Sequence, residues 1–299
     1  MDKKLESKVL NYLANNPRKF EVKLYRYLNG EICKEEVVNE LAKYQNKDGG
    51  FGNGLESDFR LSESSAMATS IALRYMCLYI KIDRKHSMLK NAIIYLENTF
   101  DKERNGWFSV PKEVNNYPHA IWWNYKEEIN GSVIDLFWGN PTAEIIGYLN
   151  YYKESASKYN WNEKVKDVIK YILDKEKFES EHELCCFIRF YHVLKNTEKQ
   201  KIRNKIIEGI KELLVVDINE WGNYVPTPMT FLEYYNEDLF DIDKSIIEKN
   251  KKYIMDILNK KRIIEPSWNW GQYFEEWEAA KIEWTEVLSI KALLFLFKF

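Results

Sequence analysis

The chain has 299 residues, of which 45% are hydrophobic and 30% are charged, and its formal net charge is −2. This balance is typical of a folded globular protein and argues against a disordered chain. No basic stripe favours nucleic-acid binding, so no partner of that class is predicted.

No membrane span is predicted. The most apolar run, residues 287–299, is too short to cross a bilayer and contains Lys291 and Lys298. The N-terminal residues lead into no apolar signal core. The cysteines show neither a CxxC pair nor metal-ligand spacing, so free thiols and a cytoplasmic location are expected. These cysteines are Cys33, Cys77, Cys185 and Cys186.

The predicted secondary structure is helical throughout. Two short helices, 4–15 and 18–29, flank a break at Asn16-Pro17. From residue 33 onward, helices with one apolar stripe alternate with helices that are apolar nearly all round. The stripes include Leu89, Ala92, Ile93 and Leu96, then Val165, Val168, Ile169 and Ile172. The apolar segments are 65–80, 142–152, 183–194 and 284–297.

Turns that combine glycine with an aromatic residue recur between these helices. They lie at 49–52, 105–108, 221–224 and 268–271. Repeats of this size indicate a stacked or closed array of helical hairpins. We therefore predict an all-α fold with a single domain over 1–299, an (α/α)6 toroid of inner and outer helices. It comprises the helix pair 4–29 and hairpins at 33–80, 87–155, 162–194, 198–237 and 243–298.

The best-formed turn reads Gln45-x-x-Asp48-Gly49-Gly50-Phe51-Gly52. This string resembles the repeat motif of the terpenoid cyclase and protein prenyltransferase superfamily. The resemblance implies an α/α toroid in which the turn links an outer helix to an inner one. It also implies that Gln45, Asp48 and Phe51 hold the hairpins together rather than react.

The catalytic motifs of that superfamily are missing from this sequence. There is no Asp-x-Asp-Asp acid, no Asp-rich magnesium motif and no Asp-x-Cys pair of a zinc site. Accordingly, no metal or cofactor is predicted, and the resemblance leaves open whether the chain is an enzyme.

The first candidate site follows the glycine turn and contains Glu56, Asp58 and Glu63. The turn is expected to direct this loop to the mouth of the toroid. Two neighbouring carboxyl groups can divide the roles of acid and base. The alternative is a set of solvated carboxylates.

The second candidate site lies in the longest irregular segment, about 100–140. Here His119 is a candidate acid or base, with a satisfied structural histidine as the alternative. Long ordered loops often form binding walls, so aromatic and polar side chains of this segment are expected to contact a ligand. They are Trp107, Trp122, Trp123, Asp135 and Trp138.

The third candidate site precedes and enters the last helix. Glu276 is a candidate catalytic carboxylate beside three ligand-binding candidates, Trp268, Trp270 and Trp284. Aromatic faces near acids suit sugar stacking or shielding of a cation. His182 is a further ligand-binding candidate, because Glu183 beside it is expected to cap its helix.

Three functions remain open on these residues. The resemblance implies an isoprenoid-like hydrophobic ligand, bound or transformed in a central cavity lined by aromatic and carboxylate groups. Paired carboxylates and tryptophans alternatively favour a carbohydrate-active barrel, a glycosidase or a lyase. A non-catalytic binding protein on the same fold is the third possibility. The sequence predicts no oligomeric state.

Overall fold

The computed structural model describes residues 3–233, 235 and 237–297, and within them it contains twelve α-helices and no β-strand. The prediction of an all-α fold is confirmed. The helices are α1 (Lys3–Leu13), α2 (Phe20–Leu28), α3 (Lys34–Ala42), α4 (Ala66–Arg74), α5 (Ser87–Thr99), α6 (Gly139–Tyr151), α7 (Trp161–Leu173), α8 (Glu181–Val193), α9 (Asn196–Leu213), α10 (Pro228–Phe231), α11 (Lys244–Lys261) and α12 (Phe274–Phe297).

Shorter helical turns occupy several of the connections. A π-helical turn, Tyr75–Ile80, continues α4. Four 3₁₀ turns lie between α5 and α6, and one lies between α9 and α10. These are Lys112–Asn116, Ile121–Trp123, Glu127–Ile129, Val133–Leu136 and Ile218–Glu220.

The chain divides into two compact units. Unit 1 contains residues 1–41 and 214–299, and unit 2 contains residues 42–213. The prediction of one domain over the whole chain stays a prediction. Residues 234 and 236 of the predicted fourth hairpin, and residue 298 of the fifth, lie outside the described part of the chain.

Unit 2 has two kinds of helix, as the apolar patterns predicted. In α4 and α6 nearly every residue is buried, in α8 most residues are buried, and α6 packs against both α4 and α8. The other three helices, α5, α7 and α9, each bury one stripe against this group. The stripe of α5 includes Leu89, Ala92, Ile93 and Leu96, all inaccessible to solvent.

Unit 1 is organised around α12, which packs against α1, α2 and α11. This helix begins at Phe274, ten residues before the predicted apolar segment 284–297. Its first turn contains Glu275 and Glu276, and carboxylates there are stabilised by the partial positive charge of a helix N-terminus. No helix among the described residues has the length and apolarity needed to span a bilayer.

Candidate functional site

The glycine turn after α3 is held by two side chains of its own motif. The side-chain amide of Gln45 donates to the carbonyl oxygens of Gly49 and Met88, both at 2.9 Å. Asp48 Oδ1 accepts from the backbone N–H of Gly50 at 3.0 Å and from the Ser64 hydroxyl at 2.7 Å. Phe51 is fully buried. These contacts hold the turn in its conformation and join it to the start of α5.

The glycines of this turn have no room for a side chain. Gly49 has a φ of +93°, and a Cβ added there would overlap the backbone of Asn91. A Cβ on Gly52 would overlap the carbonyl of Glu63. The turn therefore packs directly against the loop that carries the first candidate site.

The structure brings the first two candidate sites together. The segment around Phe59 pairs with the segment around His119 as an isolated antiparallel bridge. Arg60 N–H donates to the Pro118 carbonyl, and Ala120 N–H donates to the Asp58 carbonyl, both at 2.8 Å. These bonds fix the loop after the glycine turn against the irregular segment 117–124.

Aromatic packing strengthens the same junction. The rings of Phe59 and Trp123 meet edge to face, with centroids 5.4 Å apart, and both side chains are buried. Trp122, its neighbour in the chain, is half-buried. Of the two tryptophans predicted to contact a ligand here, Trp123 lies in the core of the junction.

His119 is buried and held through both ring nitrogens. Its Nδ1 lies 2.5 Å from the Tyr117 carbonyl oxygen, and its Nε2 lies 2.6 Å from Oδ1 of Asn124. Both partner atoms are oxygens that only accept hydrogen bonds, so the tautomer of the ring decides which nitrogen donates. Both nitrogens bridge positions within one short segment, which is the geometry of a residue that fixes a turn.

The three predicted carboxylates do not share one environment. Glu56 and Asp58 are buried, and Glu56 Oε1 accepts from the Asp58 N–H at 3.0 Å. Glu63 is exposed and accepts from the Tyr117 hydroxyl at 2.9 Å. Burial raises the pKa of Glu63, but hydrogen bonds from Tyr117, its own N–H and Ser62 outweigh this and lower the pKa below the usual value.

Asp135 ties two loops together. Its Oδ1 accepts from the Ser109 N–H at 2.7 Å, and its Oδ2 accepts from the Ser109 hydroxyl at 2.9 Å. Oδ2 also accepts from the N–H and the hydroxyl of Ser132 at 2.9 and 3.0 Å. Four hydrogen bonds on a buried carboxylate describe a structural anchor, and its predicted contact with a ligand stays a prediction.

The tryptophans of the same segment also have internal partners. Trp107 is buried and donates from Nε1 to the Leu96 carbonyl at 2.9 Å. Trp138 donates to the Arg104 carbonyl at 3.0 Å, and its ring packs on Tyr171. Both residues therefore connect the irregular segment to neighbouring helices.

Glu183 has a different role from the capping role expected for it. Its buried Oε1 accepts from the N–H of Gly139 and from the hydroxyl of Tyr171, both at 2.9 Å. Lys175 lies 2.8 Å from its other oxygen. Only half of the expected capping box forms: the Ser180 hydroxyl accepts from the Glu183 N–H at 3.3 Å, whereas the Glu183 carboxylate binds the start of α6. His182 beside it is exposed.

The third candidate site lies in unit 1. Trp270 is fully buried against Trp277. Trp268 is half-buried, and its ring centroid lies 5.3 Å from that of Tyr224 and 5.1 Å from that of Trp284. Glu276 is half-buried in the first turn of α12. The structure thus joins Trp268 and Trp284 and adds Tyr224, whereas Trp270 belongs to the core.

A charged cluster on the buried helices of unit 2 was missed by sequence reasoning. Glu144, on α6, is 1% exposed, and Arg74 of α4 lies 3.2 Å from its Oε1. Arg189 of α8 lies 3.5 Å from Oε2. We call these three residues the inner-helix triad. The available signal was a single arginine inside each of two otherwise apolar segments, 65–80 and 183–194.

No family model, curated protein or solved structure matches this chain. The functional proposal therefore rests on the residues described above together with the sequence motif around Gln45.

The inner-helix triad sets the local electrostatics of unit 2. The Tyr148 hydroxyl donates to Glu144 Oε2 at 3.2 Å. Burial, and next the charge of Glu144, raise the pKa of Tyr148 well above its ordinary value. The same two causes raise the pKa of the Cys186 thiol. Both groups stay protonated at neutral pH, so the charge here is confined to the two guanidinium groups and one carboxylate.

Proposed function

We propose that the chain is an α/α toroid protein similar to terpenoid cyclases and protein prenyltransferases, and that it binds an isoprenoid-like ligand with an anionic end group. Two features of unit 2 support the toroid. The glycine turn that contains Gln45 leads from the stretch after α3 to the buried helix α4. The mostly buried helices α4, α6 and α8 pack together, and the helices that bury a single apolar stripe, α5, α7 and α9, pack around them.

The inner-helix triad is the observation that carries the ligand proposal. The side chains of Arg74 and Arg189 are 17% and 12% exposed, and both lie on helices that are mostly buried. The attraction within a buried ion pair rarely exceeds the free-energy cost of removing both charges from water, so such pairs are weak stabilisers. Guanidinium groups bind phosphate and carboxylate through paired hydrogen bonds. Two of them at one place suit the anionic end of a ligand.

Two aromatic side chains that follow Arg74 in the sequence suit the apolar part of the same ligand. Tyr75 follows Arg74 directly, and its ring lies 5.6 Å from that of Tyr79 on the π-helical turn. Both rings are half-buried. The proposal concerns binding, because the triad supports recognition of an anion and the sequence lacks the superfamily motifs that ionise a diphosphate or protonate an alkene.

Native mass spectrometry with three probes tests this proposal. Farnesyl diphosphate has both parts of the proposed ligand, farnesol lacks the anion, and inorganic pyrophosphate lacks the chain. We expect retention of farnesyl diphosphate and at least about tenfold weaker retention of the other two. Equal retention of farnesol would contradict a role for the arginines, and retention of no probe would contradict the proposal.

Substitutions test whether the ligand binds at the inner-helix triad. Arg189→Gln is expected to weaken farnesyl diphosphate binding about tenfold or more, because a charge-assisted contact is lost. Exposed Arg26 in unit 1 provides the matched control, Arg26→Gln. Since Arg189→Gln leaves Glu144 with one cation fewer, the double variant Arg189→Gln with Glu144→Gln separates folding from binding. A folded double variant that binds normally would overturn the assignment.

One observation favours a carbohydrate ligand as a second candidate. Tyr224 is 50% exposed, and it continues the aromatic cluster of Trp268 and Trp284 in unit 1. Exposed aromatic faces next to carboxylates suit the stacking of sugar rings. An oligosaccharide panel in the same mass-spectrometric experiment tests it, with Tyr224→Ala as the variant. Binding that Tyr224→Ala leaves unchanged would count against this surface.

A further inference from the structure

Glu286, on α12, is buried in unit 1 without a partner. The residue has 0% exposure, and within the described part of the chain neither of its carboxyl oxygens has a hydrogen-bond partner. Buried polar groups are nearly always hydrogen-bonded, and a buried charge without a partner is very costly. An acidic side chain in this position therefore calls for an explanation.

The polar groups around Glu286 are committed elsewhere. On the same helix, the Thr285 hydroxyl donates to the Lys281 carbonyl at 2.7 Å, and the Ser289 hydroxyl accepts from the Ile264 N–H at 2.9 Å. Neither hydroxyl donates a hydrogen bond to the carboxyl group of Glu286.

The charged groups next to the start of α2 also have contacts of their own. Arg18 makes two hydrogen bonds of 2.6 Å to Glu21, so its guanidinium group already holds another carboxylate. Lys19 donates to the Ala14 carbonyl at 2.6 Å. The negative charge of Glu21 consequently opposes a second negative charge on Glu286.

The other helices that pack against α12 contribute no compensating cation from their buried positions. The buried acid of α1, Glu6, accepts from the Tyr25 hydroxyl at 2.8 Å. The buried polar residue of α11, Asn250, is uncharged and accepts from the Met229 N–H at 3.1 Å. Ionised Glu286 would thus meet one buried carboxylate, Glu21, and one guanidinium that is already paired with it.

We propose that the contact between α2 and α12 is proton-linked: it is closed while Glu286 is neutral and loosens when Glu286 ionises. The proposal concerns unit 1 alone and does not depend on the ligand proposed for unit 2. In this arrangement the proton is the ligand, and the packed pair of helices is the state that binds it.

The titration of Glu286 sets the direction of this effect. Burial, and next the charge of Glu21, raise the pKa of Glu286 from its ordinary 4.5 to about 8, against the opposing effects of Arg18, the Val22 N–H and Lys19. The Val22 N–H points toward the carboxyl group but does not reach the geometry of a hydrogen bond. A raised pKa means that the closed state holds its proton at pH values where the open state has lost it. Closure is therefore strongest at low pH and weakens as the pH rises from 4.5 to about 8.

Hydrogen exchange of the α2 and α12 amides tests the proposal in the full chain, with rates corrected for the intrinsic effect of pH. Between pH 6 and pH 9.5 we expect the opening equilibrium constant to rise about a hundredfold. Glu286→Gln, a neutral side chain of the same shape, is expected to remove most of this rise. Glu276→Gln, on the same helix but half-buried, is the control and should retain it.

Two results would overturn the proposal. One is a hundredfold rise that persists in folded Glu286→Gln. If that variant does not fold, the carboxyl carbon shift of Glu286 is followed by NMR in the unaltered protein labelled at glutamate. A midpoint near the ordinary value of a glutamate would then exclude proton linkage, and a midpoint well above it would support it.

Discussion

The side-chain amide of Gln45 donates to the backbone carbonyl of Met88, 43 residues further along the chain. Met88 lies in the first turn of α5, so one amide group joins the glycine turn to the next helical hairpin. The same amide also donates to Gly49 within its own turn. A single side chain thus closes a local turn and fixes its distance from a neighbouring helix.

Replacing Gln45 by alanine should destabilise the protein by about 1–3 kcal/mol, because two carbonyl oxygens lose their donor. The free energy of unfolding from urea denaturation measures this. Gln200→Ala provides the control, since Gln200 is exposed on α9. If both substitutions lowered the free energy of unfolding by the same amount, the hydrogen bond to Met88 would add nothing to stability.

Gly52 is expected to tolerate no side chain. Alanine at this position would press its Cβ into the backbone of Ser62 and Glu63, which cannot move as a flexible side chain would. We expect Gly52→Ala to cost about 2 kcal/mol or more, in the range of overpacked cores. At Gly222 an added Cβ would lie 3.7 Å from the Tyr253 hydroxyl, an ordinary contact, so Gly222→Ala is the matched control. Thermal denaturation of both variants measures the difference. Equal melting temperatures of Gly52→Ala and Gly222→Ala would contradict this prediction.

Glu183→Ala should be among the most damaging single substitutions in unit 2. It removes an acceptor from the Gly139 N–H and leaves Lys175, whose side chain is only 15% exposed, without its carboxylate. Breaking a buried pair from one side costs about 3–5 kcal/mol. Urea denaturation measures the loss, with exposed Glu179→Ala as the control. A loss below about 1 kcal/mol would mean that Glu183 is not essential to the start of α6.

The four cysteines should differ sharply in reactivity. Cys33 is exposed, whereas Cys77, Cys185 and Cys186 are buried. Burial raises the pKa of Cys77 to about 12, so its reactive thiolate is scarce at pH 8. Brief treatment of the native protein with iodoacetamide should therefore give one adduct by intact mass, and treatment in denaturant should give four. Two or more adducts on the native protein would contradict the buried positions.

Local patterns predicted the helices of unit 2 well, and the physical reason is that periodic burial is encoded within each helix. The stripe from Leu89 to Leu96 identifies α5 without knowledge of any neighbour. The glycine turn is equally local, because Gln45 and Gly49 are close in sequence. The sequence could not give the partner of Gln45 across the chain, since that depends on where α5 packs.

The candidate sites were harder to predict for the same reason. His119, Asp135 and Trp107 stood out by residue type, yet each is engaged by internal hydrogen bonds that a sequence does not display. Arg74 and Arg189 were passed over because each is an isolated charge in an apolar segment. Their relationship is visible only in the structure, where α4 and α8 place both guanidinium groups next to the carboxylate of Glu144 on α6.

Unit 1 is built from two segments that are separated by all of unit 2. During synthesis, residues 42–213 emerge as a continuous stretch and can complete their core while later residues are still being made. The first 41 residues must wait for α11 and α12 before the apolar faces of α1 and α2 find their partners. Until then, the side chains of Leu5, Val9 and Leu24, which are buried in the finished protein, lack their packing partners. The order of translation thus makes the N-terminal helices the segment most in need of protection against aggregation.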